Sequence, residues 1–482
     1  MRRPVKVNQS PMPDKIIVLI THGFRVRNIL YTDLWKELRS LGEVTLLCPD
    51  TDVESLAIDI GCEARVEGYS ALKRSRLEDF FTGVRKNVLT HPKRNTTVNI
   101  FNLNDRYKSP VKYRFRTLAN SIFGRSKLLR DLWLAMERRV FPGHEFDGLI
   151  RRLAPSLVIT TDYASHAVEI RLLRAAHRDE CPTVSIVYSW DNLSSKGIMG
   201  EVPGSLVVWN QIMAGEADEF HQYPRSRVHV TGAAQFDVYF RKDLLASREE
   251  CCRRWGLDPA RPILTFGTIT AKFFPYSLEV LEMLLEARAK GDIPADLQIL
   301  VRLHPQTMQG EHRDEVVEKI IALAGKIEGL HINMPAVRCW GSLYSPVPND
   351  QKELAEILRH SVAVMHPGST LSIDAAAMDC PIIGIAFDGR QTLPYGLSIR
   401  RFWDFGYMVP VIESGGVDLV RSGEELNAAV TQACRDRSRK AAQRKALAAR
   451  LCAFTDGRSA ERVGSVIRAT LETRPRRDPA AN

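Results

Sequence analysis

No stretch of the 482 residues reaches the roughly 18 apolar positions that a membrane-crossing helix needs. The first apolar run, Ile16 to Ile20, is too short for a signal-peptide core and reads as a buried strand. A cytoplasmic protein is expected, with a peripheral place on the inner face of the membrane left open. Nine cysteines are scattered without a CxxC pair. That argues against a zinc cage or a disulfide framework, and for reduced, mostly buried thiols. The patterns GxxxxGK(S/T), HExxH, GxSxG and GxGxxG are all missing, which disfavours a P-loop enzyme, a zinc protease, a serine hydrolase and a dinucleotide oxidoreductase. There is no internal repeat with a period of about 20–50 residues.

What is present is an ordinary globular composition, 44% hydrophobic and 26% charged. The length suits two large domains or roughly three ordinary ones, and needs no disulfide or metal to fold. The net charge of +10 is unevenly placed. Residues 65–152 carry 20 Lys and Arg against 8 Asp and Glu, so this segment alone exceeds the whole excess. Aromatics such as Tyr107, Tyr113, Phe115, Phe123 and Trp133 interleave with the cations. Such a field attracts phosphates or anionic lipid head groups, or is a solvated face without a partner. No nucleic-acid module accompanies it, so nucleic acid is not expected as a partner. A second basic stretch, 435–450, reads as a surface helix, and 474–482 as a frayed tail.

Short apolar runs alternate with helical patterns. Strands are expected at 15–20, 44–48, 155–160, 183–188, 205–208 and 228–231, with helices at 31–41, 164–178 and 211–221 between them. After a polar link near 236–260 the alternation restarts. Strands are expected at 262–266, 298–303, 362–365 and 381–386, with helices at 278–289, 313–324, 354–359 and 369–378. Within the basic segment, helices are expected near 128–138 and 146–153. This is the pattern of parallel sheets covered on both faces. The division is an extension over 1–13, an α/β half over 14–238 with the basic insertion 65–152, a second half over 239–460, and a C-terminal helix and tail over 461–482.

Ligands of open parallel sheets sit beyond the carboxyl ends of the strands. Those ends carry His22-Gly23, Thr161-Asp162, Ser189-Trp190-Asp191-Asn192, Gly267-Thr268, His304-Pro305 and His366-Pro367-Gly368-Ser369-Thr370. Ser369 and Thr370 open a helix and suit a phosphate, with Asp374 a turn further on for ribose hydroxyls; plain capping with a solvated Asp374 fits equally well. His304 could donate to a phosphate oxygen or be satisfied by backbone. His22 and Asp191 are the candidate acid/base residues, although Asp191 could instead cap a turn with Asn192. Arg25 and Lys196 would hold an acceptor phosphate or nothing.

Two α/β halves, a His-Pro after one strand, and Gly368-Ser369-Thr370 followed by Asp374 and Cys380-Pro381 together resemble the glycosyltransferases of the GT-B fold. The nearest branch is that of the CDP-glycerol glycerophosphotransferases and the capsule sialyl- and Kdo-transferases. The stretch 207–237 is similar to the segment that closes the N-terminal half in such enzymes. The resemblance implies two Rossmann-like domains facing across a cleft. It makes His304 a phosphate ligand, Ser369 and Thr370 a hydroxyl pair on the donor phosphates, and Asp374 a ribose contact. The implied activity moves a group from a nucleotide-activated sugar or polyol donor to a hydroxyl of an anionic or lipid-linked acceptor in surface-polysaccharide assembly. Gly267, Thr268 and Gly368 complete the donor side, and neither a metal nor a further cofactor is called for. A nucleotide-sugar 2-epimerase of the same fold and a non-catalytic membrane-surface protein are the alternatives.

Overall fold

The computed structural model describes residues 13–473 except 92, 164 and 309–314. The expected extension (but for its last residue) and the tail at 474–482 lie outside the described residues.

Seven strands form the first sheet: β1 (Asp14–Leu19), β2 (Gly42–Pro49), β3 (Arg65–Tyr69), β4 (Leu157–Thr160), β5 (Thr183–Ile186), β6 (Ser205–Val208) and β7 (Val228–Val230). Their order is β3-β2-β1-β4-β5-β6-β7, with every pair parallel. The run KIIVL has no polar alternation because both faces of β1 are covered. Ile16 and Val18 join one apolar cluster, while Ile17 and Leu19 join another on the opposite face.

The second sheet repeats the design with β8 (Ile263–Gly267), β9 (Gln298–Arg302) and β10 (Leu330–Asn333), then, beyond a hairpin of β11 (Val337–Trp340) and β12 (Leu343–Pro346), β13 (Ala363–His366), β14 (Ile382–Ile385) and β15 (Val417–Val420). The order β10-β9-β8-β13-β14-β15 is again all parallel. The expected pair of doubly wound, Rossmann-like sheets is therefore what the chain forms. In each sheet the strand order reverses once, at β1/β4 and at β8/β13, which is where such sheets leave a crevice for ligands.

Several connections tie the lobes, three of them far apart in sequence from the link. The β11–β12 hairpin leaves the second lobe and sinks Trp340 and Leu343 into the core of the first. There the Trp340 indole donates to Asp59 (2.7 Å) and the Leu343 amide to Asp52 (2.7 Å). The helix Ser459–Glu472 crosses back and packs Val463, Ile467 and Leu471 on the same core. Its first amides, from Ser459 and Ala460, are received by Asp237. In the insertion, Thr97 accepts from the Gly406 amide (2.9 Å) and Phe101 packs against Phe405.

Several expectations shift. The helix placed at 31–41 is Leu34–Leu41, and an unexpected helix, Gly23–Leu30, precedes it, its start held by the His22 ring, which accepts the Phe24 amide. The basic stretch 435–450 is not a surface helix throughout. Its helix runs Ala441–Cys452 and is half-sunk, with Arg444 buried against Asp379 and Leu447 and Leu451 in the core. The insertion holds more helix than expected: Arg76–Asn87, Thr96–Phe101, Asp105–Lys108 and Pro110–Phe123 precede Lys127–Val140 and Asp147–Leu153. β3, β10, the hairpin and β15 were not anticipated, being four or five residues long with polar positions among them. All nine cysteines are unpaired and six are buried.

Candidate active site

Between the two lobes lies a cavity of about 450 Å3. Its second-lobe wall is built at strand ends. Gly267 and Thr268 close β8, and Arg302, Leu303 and His304 close β9. The β13 turn then brings Ser369, Thr370 and Asp374 to the same space. Thr268 links two of these ends, its hydroxyl accepting from the His304 amide (3.1 Å) and its amide donating to the Arg302 carbonyl (3.0 Å). A Cβ at Gly267 would meet the tip of the Leu371 side chain at 2.3 Å, so the glycine leaves room for that side chain. Gly368, which is not among the residues lining the cavity, turns with φ of 95°, a left-handed conformation. His366 holds that turn by accepting the Gly368 amide and pairing with Ser372, and it stays buried.

His304 has a defined tautomer. The Gln306 amide donates to its Nδ1 (3.1 Å), which leaves the proton on Nε2. Burial, with Arg302 and Arg27 nearby, lowers its pKa to about 4, so the ring is neutral at pH 7. It is thus a one-proton donor on the cavity wall. Asp374 is the opposite case, with burial raising its carboxyl to about 6 although Tyr239, Arg27 and Arg302 favour the charge. The Tyr239 hydroxyl donates to its Oδ1 (2.6 Å), as does the Gln351 amide (3.3 Å). Arg302 is spoken for by Asp350 (2.7 Å).

The first-lobe wall brings Arg27, Tyr188, Trp190 and Asp191 to the cavity, with Tyr407 of the second lobe stacked edge-on to Trp190. Asp191 is clamped by the Ser189 and Ser195 hydroxyls, which donate to its two oxygens. Arg27 projects from the helix Gly23–Leu30. Burial pulls its guanidinium down from the ordinary range, against the attraction of Asp350 and Asp374 across the cleft.

The structure therefore brings together Asp191, Gly267, Thr268, His304, Ser369, Thr370 and Asp374. It does not bring His22, Arg25 or Lys196 to the cavity wall. His22 caps its helix and stacks on Phe24, and burial lowers its pKa to about 4. Arg25 is fully buried, donating to Glu169 (2.6 Å) and Asp162 (3.2 Å). Lys196 donates to the Tyr188 hydroxyl (2.6 Å). Burial works against the Asp162 carboxylate, but Lys196 and Arg25 outweigh it and hold the group at about 2. Glu169 is pushed by burial up to about 7, against Arg25. This network forms a layer behind Tyr188. Among the described residues, no group of three or more His, Cys, Asp or Glu is placed to hold a metal ion.

Arg27, Tyr239, Gln351 and Tyr407 escape a strand-end reading. Arg27 lies a helical turn beyond its strand, and the other three come from connecting segments and helices. Trp190 stood in view beside Asp191.

No family model and no curated protein matches this sequence. Solved structures do. A UDP-GlcNAc 2-epimerase from Neisseria meningitidis bound to UDP-GlcNAc aligns with a TM-score of 0.52 at 9% identity, over 94% of this chain and 99% of that one. The UDP-GlcNAc 2-epimerase from Methanocaldococcus jannaschii gives the same values. A glycosyltransferase from Rickettsia africae aligns with a TM-score of 0.51 at 11% identity, over 96% and 100% of the two chains. At these identities the likeness shows the fold, which is GT-B.

Proposed function

We propose that this chain is a nucleotide-sugar enzyme that transfers the activated group of its donor to an acceptor hydroxyl. In this reading residues 239–460 hold the donor and residues 14–238 the acceptor. The carrying observation is that one cavity gathers a neutral imidazole with its proton on Nε2, two hydroxyls, an arginine from the facing lobe and a partly neutral carboxyl.

The His304 Nε2–H, the Ser369 and Thr370 hydroxyls and Arg27 take the oxygens of the donor's phosphates. The helix behind Thr370 has only seven residues, so side chains rather than a helix dipole supply the positive field. Asp374, held by Tyr239 and Gln351, receives a ribose hydroxyl. Asp191, oriented by two serines, removes the proton of the acceptor hydroxyl. That oxygen bonds to the donor's activated carbon (or phosphorus) as the bond to the leaving phosphate breaks. The charge left on the phosphate falls on donors already in place. A donor of the CDP-glycerol or capsule type and a lipid-linked acceptor are the finer form of the reading, on the motif resemblance.

A nucleotide-sugar 2-epimerase is the second reading, favoured by the likeness to structures that hold UDP-GlcNAc. Epimerisation must take a carbon-bound hydrogen from one face and return it to the other, which by acid/base chemistry calls for two groups. The first-lobe wall offers one carboxylate, Asp191, which suits a single deprotonation better.

The test is thermal stabilisation by UDP, CDP, CMP and GDP. At about a hundred times its Kd a ligand adds about 2.7 kcal/mol, so at least one of the four raises the Tm by several degrees. No shift from any of them overturns both enzyme readings and leaves the non-catalytic one. Product analysis with donor alone then separates the two enzymes, because only the epimerase needs no acceptor.

A further inference from the structure

The helices Pro110–Phe123 and Lys127–Val140 are built inside out. Trp133 packs inward on Phe81, but the inward hydrogen bonds and ion pairs that hold these helices come from polar side chains. Asn120 donates to the carbonyls of Val88 (2.8 Å) and Thr90 (2.6 Å), Arg116 pairs with Asp105, and Glu137 lies against Arg85 (3.3 Å). Their outward faces are apolar. Val111, Phe115, Leu118 and Ile122 recur at helical spacing, with Val111 81% and Phe115 75% exposed. Leu128 (68% exposed), Leu132, Met136 and Val140 form a second exposed apolar stripe on the next helix, which begins beyond a three-residue turn. An amphipathic pair that turns its apolar side to water lacks the partner that would cover it.

Charge says what that partner is. Residues 106–130 hold eight Lys and Arg and no Asp or Glu. Lys112, Arg114, Arg125 and Lys127 are exposed beside the apolar stripes. We propose that these two consecutive helices dock the protein on an anionic lipid surface, their apolar stripes in the acyl boundary and their cations among the head groups. Among the described residues no helix is long and apolar enough to cross a bilayer, so the pair lies in the interface. The same insertion reaches the cleft. Thr97 and Phe101 rest on Gly406 and Phe405, next to Tyr407 of the cavity wall. The inference does not rest on the group-transfer reading, because lipid binding is measured without any donor.

The experiment is co-sedimentation of the full chain with vesicles of phosphatidylcholine alone and of phosphatidylcholine mixed with phosphatidylglycerol. Two variants are run beside it, Phe115→Ser with Leu118→Ser and Lys112→Gln with Arg114→Gln. The anionic vesicles should bind at least about tenfold more tightly than the neutral ones, and each double variant should lose about tenfold or more. Circular dichroism and the Tm of the ligand-free protein should be those of the parent, which shows that the variants fold. No binding to the anionic vesicles, or binding indifferent to lipid charge and to both variants, overturns the proposal. So does a concentration-dependent dimer in light scattering that Phe115→Ser with Leu118→Ser dissolves, since a second copy of the chain would then cover the face.

Discussion

At the strand ends of the first lobe, Arg25, Lys196, Asp162 and Glu169 neutralise one another out of reach of the cavity. At the same level of the second lobe, His304, Ser369, Thr370 and Asp374 turn into it. The topology of the two sheets is alike, so the difference lies in partners. A buried guanidinium with two carboxylates within reach is structural, whereas an imidazole on the cavity wall whose inner nitrogen is met by a backbone amide keeps its outer N–H for something in the cavity. The contrast recurs within a single helix. Arg25 points into the lobe and Arg27, two residues on, toward the cleft.

The sharpest break of this comparison is Arg25→Met against Arg27→Met. The first leaves Asp162 and Glu169 buried with no guanidinium and should cost about 3–5 kcal/mol in denaturant unfolding. The second removes a half-buried cation facing open space. It should change stability by about 1 kcal/mol or less while weakening nucleotide binding. If the two variants exchange these phenotypes, the division into a structural and a ligand-facing arginine is wrong.

His304→Ala comes next. Loss of one hydrogen bond to a charged oxygen is worth about 1.5–3 kcal/mol, so nucleotide affinity should fall about tenfold to a hundredfold by calorimetry. The Tm of the ligand-free protein should stay near that of the parent. A large fall in Tm with unchanged affinity would make His304 a structural histidine that only holds the Gln306 turn.

Legibility followed the same division. Strand-end positions could be read because β-strands of buried parallel sheets are apolar runs that stop abruptly, as KIIVLI stops at Thr21-His22 and QILVRL at His304-Pro305. Which of those ends face a ligand could not, because it depends on non-local charge. Nothing near Arg25 in sequence announces Glu169, 144 residues away. Tyr239 and Gln351 were hidden for a related reason: neither follows a strand, and they meet Asp374 only through the packing of the link between the lobes. The basic insertion was legible in charge but not in shape, since composition gives no sign that its helices would bury Asn120 and expose Phe115.

The smallest effect tests Asp374. Its carboxyl is raised from the ordinary 3.8 to about 6 by burial, so the folded state holds this proton more tightly than the unfolded chain does. Its contribution to the stability of the ligand-free protein is therefore fully present below about pH 4 and is lost as the pH rises through about 6. Binding runs the other way, since a ribose hydroxyl donates to the ionised carboxylate. With a pKa of about 6, the ionised fraction falls about fourfold between about pH 7.5 and 5.5, and affinity should fall with it. A terminal phosphate on the ligand titrates in the same range, so Asp374→Asn supplies the baseline. The parent should show about fourfold more pH dependence than Asp374→Asn in calorimetric titrations with the nucleotide that binds best. Identical pH profiles for the two would mean that the carboxylate does not meet the ligand, and that its hydrogen bonds with Tyr239 and Gln351 serve only to pack the second lobe against the link.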